Sequence, residues 1–450
     1  MALMMSVSGV RGLIGETLTP TLVTELGCAF GSMLGPGSTV VIGRDSRPSG
    51  PMVGRAVVAG LLASGCRVVI LGVATTPAVA FMVRQLNADG GIVITASHNP
   101  IIWNGIKFLT NEGLAPPPER AKQLFDRYHA KQFNLVDVDR IGAVTRDDTA
   151  AAVHVDAVLK TVDAGAIANR RFRVVLDSVN GAGGAEGRLL LDKLGVEVVH
   201  INGEPTGRFA HTPEPLAENL TELCDVVKRE NAAAGFAQDP DADRLAIVDE
   251  KGNYIGEEYT LALAAKHMFA THPGPAAANM STSRMVDALA EQAGKPCVVH
   301  RSAVGEANVV AAMKAHQCVI GGEGNGGVID PRVVPVRDSL VAMALTLQLM
   351  TDTGKTLSAL VAEIPSFVMI KRKFECSKDR IGRVIDAVKT AFKDAKLNDS
   401  DGVRVDLAEG WVHVRGRITE ARICIIDRAD ISDAAEQHIA KVQTIADGVS

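Results

Sequence analysis

Aromatic residues are scarce, at 4% of a 450-residue chain. That scarcity argues against the stacking platforms on which bases and sugars are often laid. An excess of one charge is also missing. The chain carries 47 Lys and Arg against 52 Asp and Glu, a net charge of −5, and has no strongly basic block. No nucleic-acid partner is expected, and a phosphorylated substrate would need local positive charge inside a mildly acidic protein. Cysteine is thinly spread. Cys28, Cys66, Cys224, Cys297, Cys318, Cys376 and Cys424 are odd in number and form no Cys-x-x-Cys pair. This pattern fits reduced thiols in the cytosol rather than a disulfide frame or a zinc site. Between Met1 and Gly12 no charged region precedes a long apolar run, so no signal peptide is read and a cytoplasmic location is expected. The apolar run Leu340 to Met350 is too short to span a bilayer; it reads as a buried helix, and no membrane association is expected.

Hydrophobic residues, at 47%, suffice for substantial cores, and 43 glycines imply many tight loops. The length suggests about three or four domains. Along the chain the pattern is strand, loop, helix, repeated. Val40 to Ile42 reads as a strand before the polar loop Arg44-Asp45-Ser46-Arg47, and Gly50 to Ser64 as a helix. Arg67 to Leu71 reads as a second strand, Gly72 to Pro77 as a loop and helix start, and Gly90 to Ile94 as a buried strand. The alternation implies a mostly parallel sheet with helices on its faces. Asp137 to Ala151 is polar and is taken to hold the first domain boundary. Phe172 to Leu176 and Val196 to Ile201 read as further strands, Tyr259 to Phe269 as an apolar helix, and Phe367 to Phe374 as a linker strand. Ile381 to Ala395 reads as an amphipathic helix, and Val403 to Leu407 and Trp411 to Val414 as strands around a tight turn.

The strongest motif is Thr95-Ala96-Ser97-His98-Asn99-Pro100, followed by Asn104-Gly105-Ile106-Lys107. Pro100 cannot continue a ladder, so Ser97 falls where a buried strand breaks into a loop. In an α/β domain that strand end is where ligands bind, and a hydroxyl there can carry a phosphoryl group. A second constellation is Asp239-Pro240-Asp241-Ala242-Asp243-Arg244. On an extended backbone, three carboxylates at alternate positions face one way. Their mutual repulsion calls for a cation, and an all-oxygen set too small for a calcium cage suits Mg²⁺ sharing its shell with a phosphate. Gly321-Gly322-Glu323-Gly324-Asn325-Gly326-Gly327 lets backbone approach a ligand, with Glu323 and Asn325 able to bond hydroxyls. Arg415-Gly416-Arg417-Ile418-Thr419-Glu420-Ala421 offers guanidinium groups to a phosphate. Ser6 to Gly12 brackets Arg11 with two glycines, as a tight loop bringing a guanidinium to an anion would. Asp177 to Gly184 reads either as an anion-holding helix start or as a plain strand-to-helix turn.

Taken in order, these motifs resemble those of the α-D-phosphohexomutases over nearly the whole chain. His211 to Pro215 with Glu218-Asn219-Leu220, and Val304-Gly305-Glu306, are similar to family segments as well. The resemblance implies four domains in the α/β class: a phosphoserine-bearing unit at 1–150, a metal-binding unit at 151–255, a sugar-binding unit at 256–366, and an α+β phosphate-binding domain at 367–450. The first three would carry mixed, mostly parallel sheets, with the site in the cleft where all four meet. It implies catalytic roles for Ser97, Arg11, Lys107 and His98, and Mg²⁺ held by Ser97, Asp239, Asp241 and Asp243. Substrate would be bound by Arg244, Glu323, Asn325, Arg415, Arg417 and Thr419. Asn325 stands where most bacterial members have Ser, and Gly327 where they have His. With Trp103-Asn104, this looks more like the archaeal and Bacteroidetes-type phosphoglucosamine mutases. In the phosphate loop, Arg417 replaces a Ser, Ala421 a Pro, and Cys424 stands where an Arg is expected.

The implied reaction moves a phosphoryl group between the 6- and 1-positions of a hexose phosphate. It passes through phosphoserine and a 1,6-bisphosphate, with glucosamine 6-phosphate the expected substrate. Lys107 would be a general acid or base if its pKa were depressed. A phosphoglucomutase or phosphomannomutase, a phosphatase with the same loops, and a non-catalytic sugar-phosphate binding protein are the rival readings. Monomer and homodimer both stay open.

Overall fold

The computed structural model describes residues 3–366, 368–399, 401–407, 410–416, 422–429 and 432–449. The chain forms two compact units. The first holds Met1–His267 and Gly326–Val361, the second Met268–Asn325 and Ala362–Ser450.

The first unit opens with a seven-stranded sheet. Its order is Met4–Ser6, Gly9–Leu13, Trp103–Thr110, Gly90–Ile94, Thr39–Arg44, Arg67–Val73, Val144–Arg146. The last four strands in that order run parallel, as the strand–helix alternation requires. Trp103–Thr110 lies antiparallel between Gly90–Ile94 and Gly9–Leu13. Helix Pro20–Leu34 starts on Thr19, whose hydroxyl accepts the Leu22 N–H, with Pro at the first helical turn. It packs on helix Gly50–Ala63 at close range. A Cβ on Gly60 would sit 2.2 Å from the Thr24 carbonyl oxygen, so only glycine permits this approach. Leu26, Phe30, Val57 and Leu61 from the helices meet Val40, Ile42, Ile92 and Ile94 from the sheet, all buried. Burial of each such side chain is worth roughly 1.5–3 kcal/mol. Val144–Arg146 lies inside the polar stretch read as a boundary. It is an exposed edge strand, too short and polar to announce itself.

A second, four-stranded sheet has the order Leu245–Val248, Ala234–Gln238, Arg173–Asp177, Glu197–Ile201. Its first pair is antiparallel and the others are parallel. Helix Ser339–Thr353 also belongs to this unit and is buried through Met350, as its apolar run predicts.

The second unit contains the parallel strands Val299–Ser302, Ala276–Asn279 and Ile320–Glu323. It also contains an antiparallel five-stranded sheet with the order Val368–Glu375, Arg422–Ala429, Gly410–Gly416, Val403–Leu407, Lys396–Asn398. Helices Lys378–Ala391 and Ser432–Gly448 accompany that sheet. The expected linker strand is in fact a member of it, because its backbone pairs with Arg422–Ala429 along its length. Mixed, mostly parallel α/β sheets with an α+β C-terminal part are thus the observed class. Among the described residues, no helix is long and apolar enough to cross a membrane.

Candidate active site

Strand Gly90–Ile94 ends three residues before Ser97, which is 1% exposed and has φ +50°. An L-residue rarely adopts that left-handed conformation, so the surroundings must hold it there. Trp103–Thr110 then returns beside the strand. A Cβ on Gly105 would lie 2.5 Å from the Val10 oxygen, 2.8 Å from the Thr95 oxygen and 2.9 Å from Arg11 Cγ. Glycine there lets the serine loop and Arg11 cross the strand closely. Arg11 pairs in register with Gly105, and Lys107 follows two residues on, on the same face.

The three aspartates sit at the turn of the hairpin Ala234–Gln238/Leu245–Val248. Their backbone is not extended, as the alternate spacing suggested. It turns, with Ala242 at φ +55° and its N–H bonded to the Asp239 oxygen at 2.9 Å, and the turn brings the carboxylates together. All three are fully buried, and their ligand atoms lie within 4.8 Å of one another. Ser97 Oγ donates to Asp239 Oδ2 at 2.8 Å, and His98 Nδ1 lies 3.3 Å from the same hydroxyl. Lys107 Nζ donates to Asp241 Oδ2 at 2.7 Å and to Asp243 Oδ2 at 3.3 Å. Arg244 Nε lies 3.8 Å from Asp243 Oδ1. Arg11 Nη1 donates to Asn99 Oδ1 at 3.2 Å.

The electrostatics follow from this crowding. Burial pushes the Asp241 carboxyl up, but the Lys107 ammonium and hydrogen bonds from Lys107 and Thr76 hold it well below the usual range. At Asp243 burial also works upward, but Arg337, Lys107 and Arg244 together hold the carboxyl below its ordinary value. Burial and the neighbouring carboxylates raise Asp239. Burial, Arg244 and Arg11 push His98 down to about 3, so its imidazole is neutral at physiological pH. For Lys107, burial works downward, but Asp241 and Asp243 leave its pKa raised. The depressed value that a general base would need is therefore not what the structure gives. Nor is Lys107 a solvated lysine: its side chain is 14% exposed and bound to two carboxylates.

The donor set suits a hard divalent cation. Asp241 Oδ1 and Asp243 Oδ1 are buried without a hydrogen-bond partner, and every candidate ligand is an oxygen.

Several contributors escaped the sequence reading. Thr76, at the start of helix Thr76–Gln85, donates its hydroxyl to Asp241 Oδ2 at 2.7 Å and its N–H to the Asp241 oxygen at 2.9 Å. Arg337 Nη2 donates to Asp243 Oδ2 at 2.6 Å. The arginine directly precedes Asp338, whose carboxylate caps helix Ser339–Thr353. A lone Arg-Asp before an apolar helix was the only signal available for it. The loop Asp177 to Gly184 buttresses the aspartates, with the Ala182 N–H on the Pro240 oxygen at 2.8 Å.

In the second unit, Glu323 ends strand Ile320–Glu323 and is buried. Its Oε1 accepts from Asn279 Nδ2 at 2.7 Å and from the Gly305 N–H at 3.2 Å. Asn325 Nδ2 reaches Glu323 Oε2 at 3.5 Å, while Asn325 Oδ1 is buried without a partner. The Val304 N–H, one residue before Gly305, donates to Asp401 Oδ2 at 3.1 Å, and Arg415 Nε lies 3.5 Å from the same oxygen. Within this unit the Val304-Gly305 motif therefore joins the glycine loop to Arg415. Arg417 and Thr419 lie outside the described residues.

A buried aspartate triad beside a serine at a strand end, on this order of sheets, is the architecture of a phosphohexomutase. Sequence models of the phosphoglucomutase/phosphomannomutase α/β/α domains I, II and III match residues 3–135, 152–252 and 256–367, and the chain belongs to that family of mutase isomerases. A Methanopyrus kandleri protein named "Probable phosphoglucosamine mutase" is 37% identical over 434 residues, covering 96% of this chain and 94% of that one. A Thermococcus kodakarensis protein named "Phosphoglucomutase/phosphomannomutase" is 37% identical over 438 residues, covering 96% and 95%. The crystal structure of a phosphoglucomutase/phosphomannomutase family protein from Burkholderia thailandensis superposes with a TM-score of 0.87 at 26% identity, covering 99% of each chain.

Proposed function

We propose that this phosphohexomutase interconverts glucosamine 6-phosphate and glucosamine 1-phosphate, with Ser97 as the phosphoryl carrier. The observation that carries the reading is the 2.8 Å hydrogen bond from Ser97 Oγ to Asp239, one corner of the buried carboxylate triad. In the forward half-reaction the Oγ–P bond of phosphoserine breaks as the sugar's free hydroxyl oxygen bonds phosphorus. The hydroxyl proton leaves to a base, and Ser97 keeps the electron pair of the broken bond. The bisphosphate then turns end for end and returns its other phosphoryl group to Ser97. Ser97, Asp239, Asp241 and Asp243 would hold Mg²⁺, which when bound supplies neutralisation of the phosphoryl oxygens.

The chain's own residues supply positioning and charge, which dominate phosphoryl transfer. Arg11 and Arg244 orient the phosphoryl oxygens. Lys107 balances Asp241 and Asp243 as an ammonium. With the Ser97 proton directed at Asp239, a neutral His98 donates to Oγ from Nδ1. Glu323 and Asn325 take sugar hydroxyls, and Arg415, Arg417 and Thr419 the phosphate at the non-reacting end. The domain division at residues 150, 255 and 366 belongs to the same proposal. The amino-sugar preference rests on Asn325, Gly327 and Trp103-Asn104, with support from relatives bearing that name.

Coupled assays on glucosamine, glucose and mannose 6-phosphates, run beside Ser97→Ala, test this. Glucosamine 6-phosphate should give the highest kcat/KM, and Ser97→Ala should fold but lose nearly all turnover. Full activity in that variant refutes the carrier. Preference for glucose or mannose refutes the substrate, and steady release of inorganic phosphate would mark a phosphatase.

A further inference from the structure

We propose that Arg47, fixed by Asp45, is the positioning residue that sets the serine loop, with Thr95 relaying the constraint to Ser97. This rests on Ser97 being the phosphoryl carrier. Arg47 and Asp45 are both 0% exposed and form an ion pair, Nε to Oδ2, at 2.9 Å. Asp45 Oδ1 also accepts the Arg47 N–H at 3.0 Å, which fixes the pair on its own loop. The rest of the guanidinium is spent on backbone. Nη2 donates to the carbonyl oxygens of Ser97 at 2.6 Å and Asn99 at 2.7 Å. Nη1 donates to those of Pro100 at 2.8 Å and Trp103 at 3.1 Å. The Phe209 ring covers the group, 4.9 Å from its carbon to the ring centre.

The other end of Ser97 is held through Thr95. Its hydroxyl donates to Asp45 Oδ2 at 2.7 Å and accepts the Ser97 N–H at 2.8 Å. Both peptide groups of Ser97 thus trace back to one buried ion pair, and the residue is kept at its left-handed φ of +50°. Four carbonyls are drawn onto a cation beside a side chain that must bear a dianion. Arginine is required for this. A planar fork reaches separate acceptors at once, whereas a lysine is a single point charge. In phosphoryl transfer the catalytic effect is largely geometric, so loosening this clamp should slow the chemical step more than it weakens substrate binding.

Thr95→Val removes the relay hydroxyl at nearly constant shape, and Thr95→Ser keeps it. Each variant, with Arg47→Lys, is incubated with a hexose 1,6-bisphosphate. Melting temperature, phosphate on Ser97 by intact mass, kcat and KM are then measured. Thr95→Val and Arg47→Lys should lose about 10- to 100-fold in kcat in the folded, phosphorylated form. KM should stay within about twofold, and Thr95→Ser should recover kcat to within about threefold. If Arg47→Lys does not fold, the Thr95 pair still decides. Wild-type kcat in phosphorylated Thr95→Val overturns the proposal, as does a Thr95→Ser variant as slow as Thr95→Val. A wild-type protein whose Ser97 never takes phosphate would instead sink the carrier reading, and this proposal with it.

Discussion

Replacing His154 by glutamine should destabilise the first unit, and by more at neutral than at high pH. His154 lies on helix Ala150–Leu159 and is fully buried between two carboxylates. Its Nδ1 is 2.7 Å from Glu186 Oε1 on helix Gly183–Lys193, and its Nε2 is 2.8 Å from Asp338 Oδ2. Burial alone would lower its pKa, but Asp338 and Glu186 raise it from 6.5 to about 10. The folded value exceeds the unfolded one. The stabilisation is therefore complete below about pH 6.5 and is lost as pH rises through about 10. The shift corresponds to about 5 kcal/mol, and breaking a buried pair by removing one partner typically costs about 3–5 kcal/mol. At about 2 °C per kcal/mol, that is a fall in Tm of about 6–10 °C. Calorimetric scans of wild type and His154→Gln at pH 6, 8 and 10 would show the two melting curves converging as pH rises. Adding Glu186→Gln and Asp338→Asn should recover part of the loss, because the unpaired carboxylates are then gone. A Tm difference that stays constant from pH 6 to pH 10 would refute the imidazolium between two carboxylates.

Three further outcomes follow from the site. Asp241→Asn should weaken divalent-metal binding by about tenfold or more, read by titration calorimetry with Mg²⁺; unchanged affinity removes Asp241 from the ligand set. Arg337→Gln frees Asp243 from its 2.6 Å partner and should cost about 10- to 100-fold in metal affinity or turnover. A variant with wild-type values in both would make Arg337 a bystander. If Arg417 is a phosphate ligand, Arg417→Ala should raise KM and Arg417→Ser restore only part of the binding. A lower KM in Arg417→Ser would show instead that the guanidinium blocks the phosphate.

What the sequence made legible was local in the chain. Ser97 and the aspartates sit in short motifs whose residue types carry their own chemistry, and the apolar run at Leu340 to Met350 declares a buried helix. Other contributors become visible only when topology joins distant segments. Thr76 and Arg337 reach the aspartates from 165 and 94 residues away, and neither has a distinctive neighbourhood. Trp103–Thr110 was not read as a strand because Asn104, Gly105 and Lys107 break its hydrophobic alternation. Those same residues serve the site: Gly105 by its lack of a side chain, Lys107 by its charge. The orientation of the three carboxylates was misassigned to an extended backbone, since nothing in Ala242 foretells a left-handed turn. Asp45 and Arg47 read as an ordinary polar loop, because a clamp on carbonyl oxygens leaves no mark on the residues clamped.

The first unit is discontinuous in the chain, closed by Gly326–Val361 after the intervening residues have gone to the second. Its hairpin strand Leu245–Val248 waits for the Gly326 oxygen, which accepts the Leu245 N–H at 3.0 Å, and Asp243 waits for Arg337. During synthesis the aspartate turn is therefore complete in sequence long before it is complete in structure. A nascent chain stopped at His267 would hold every residue of the triad, with Lys107 and Arg244, yet lack Arg337, the nearest cation to Asp243, and the buried helix Ser339–Thr353. Vectorial folding of this protein is thus obliged to stay open until residues 326–361 have emerged. A ribosome-stalled fragment ending at His267 should remain protease-sensitive at the aspartate loop, while one extended past Val361 should not.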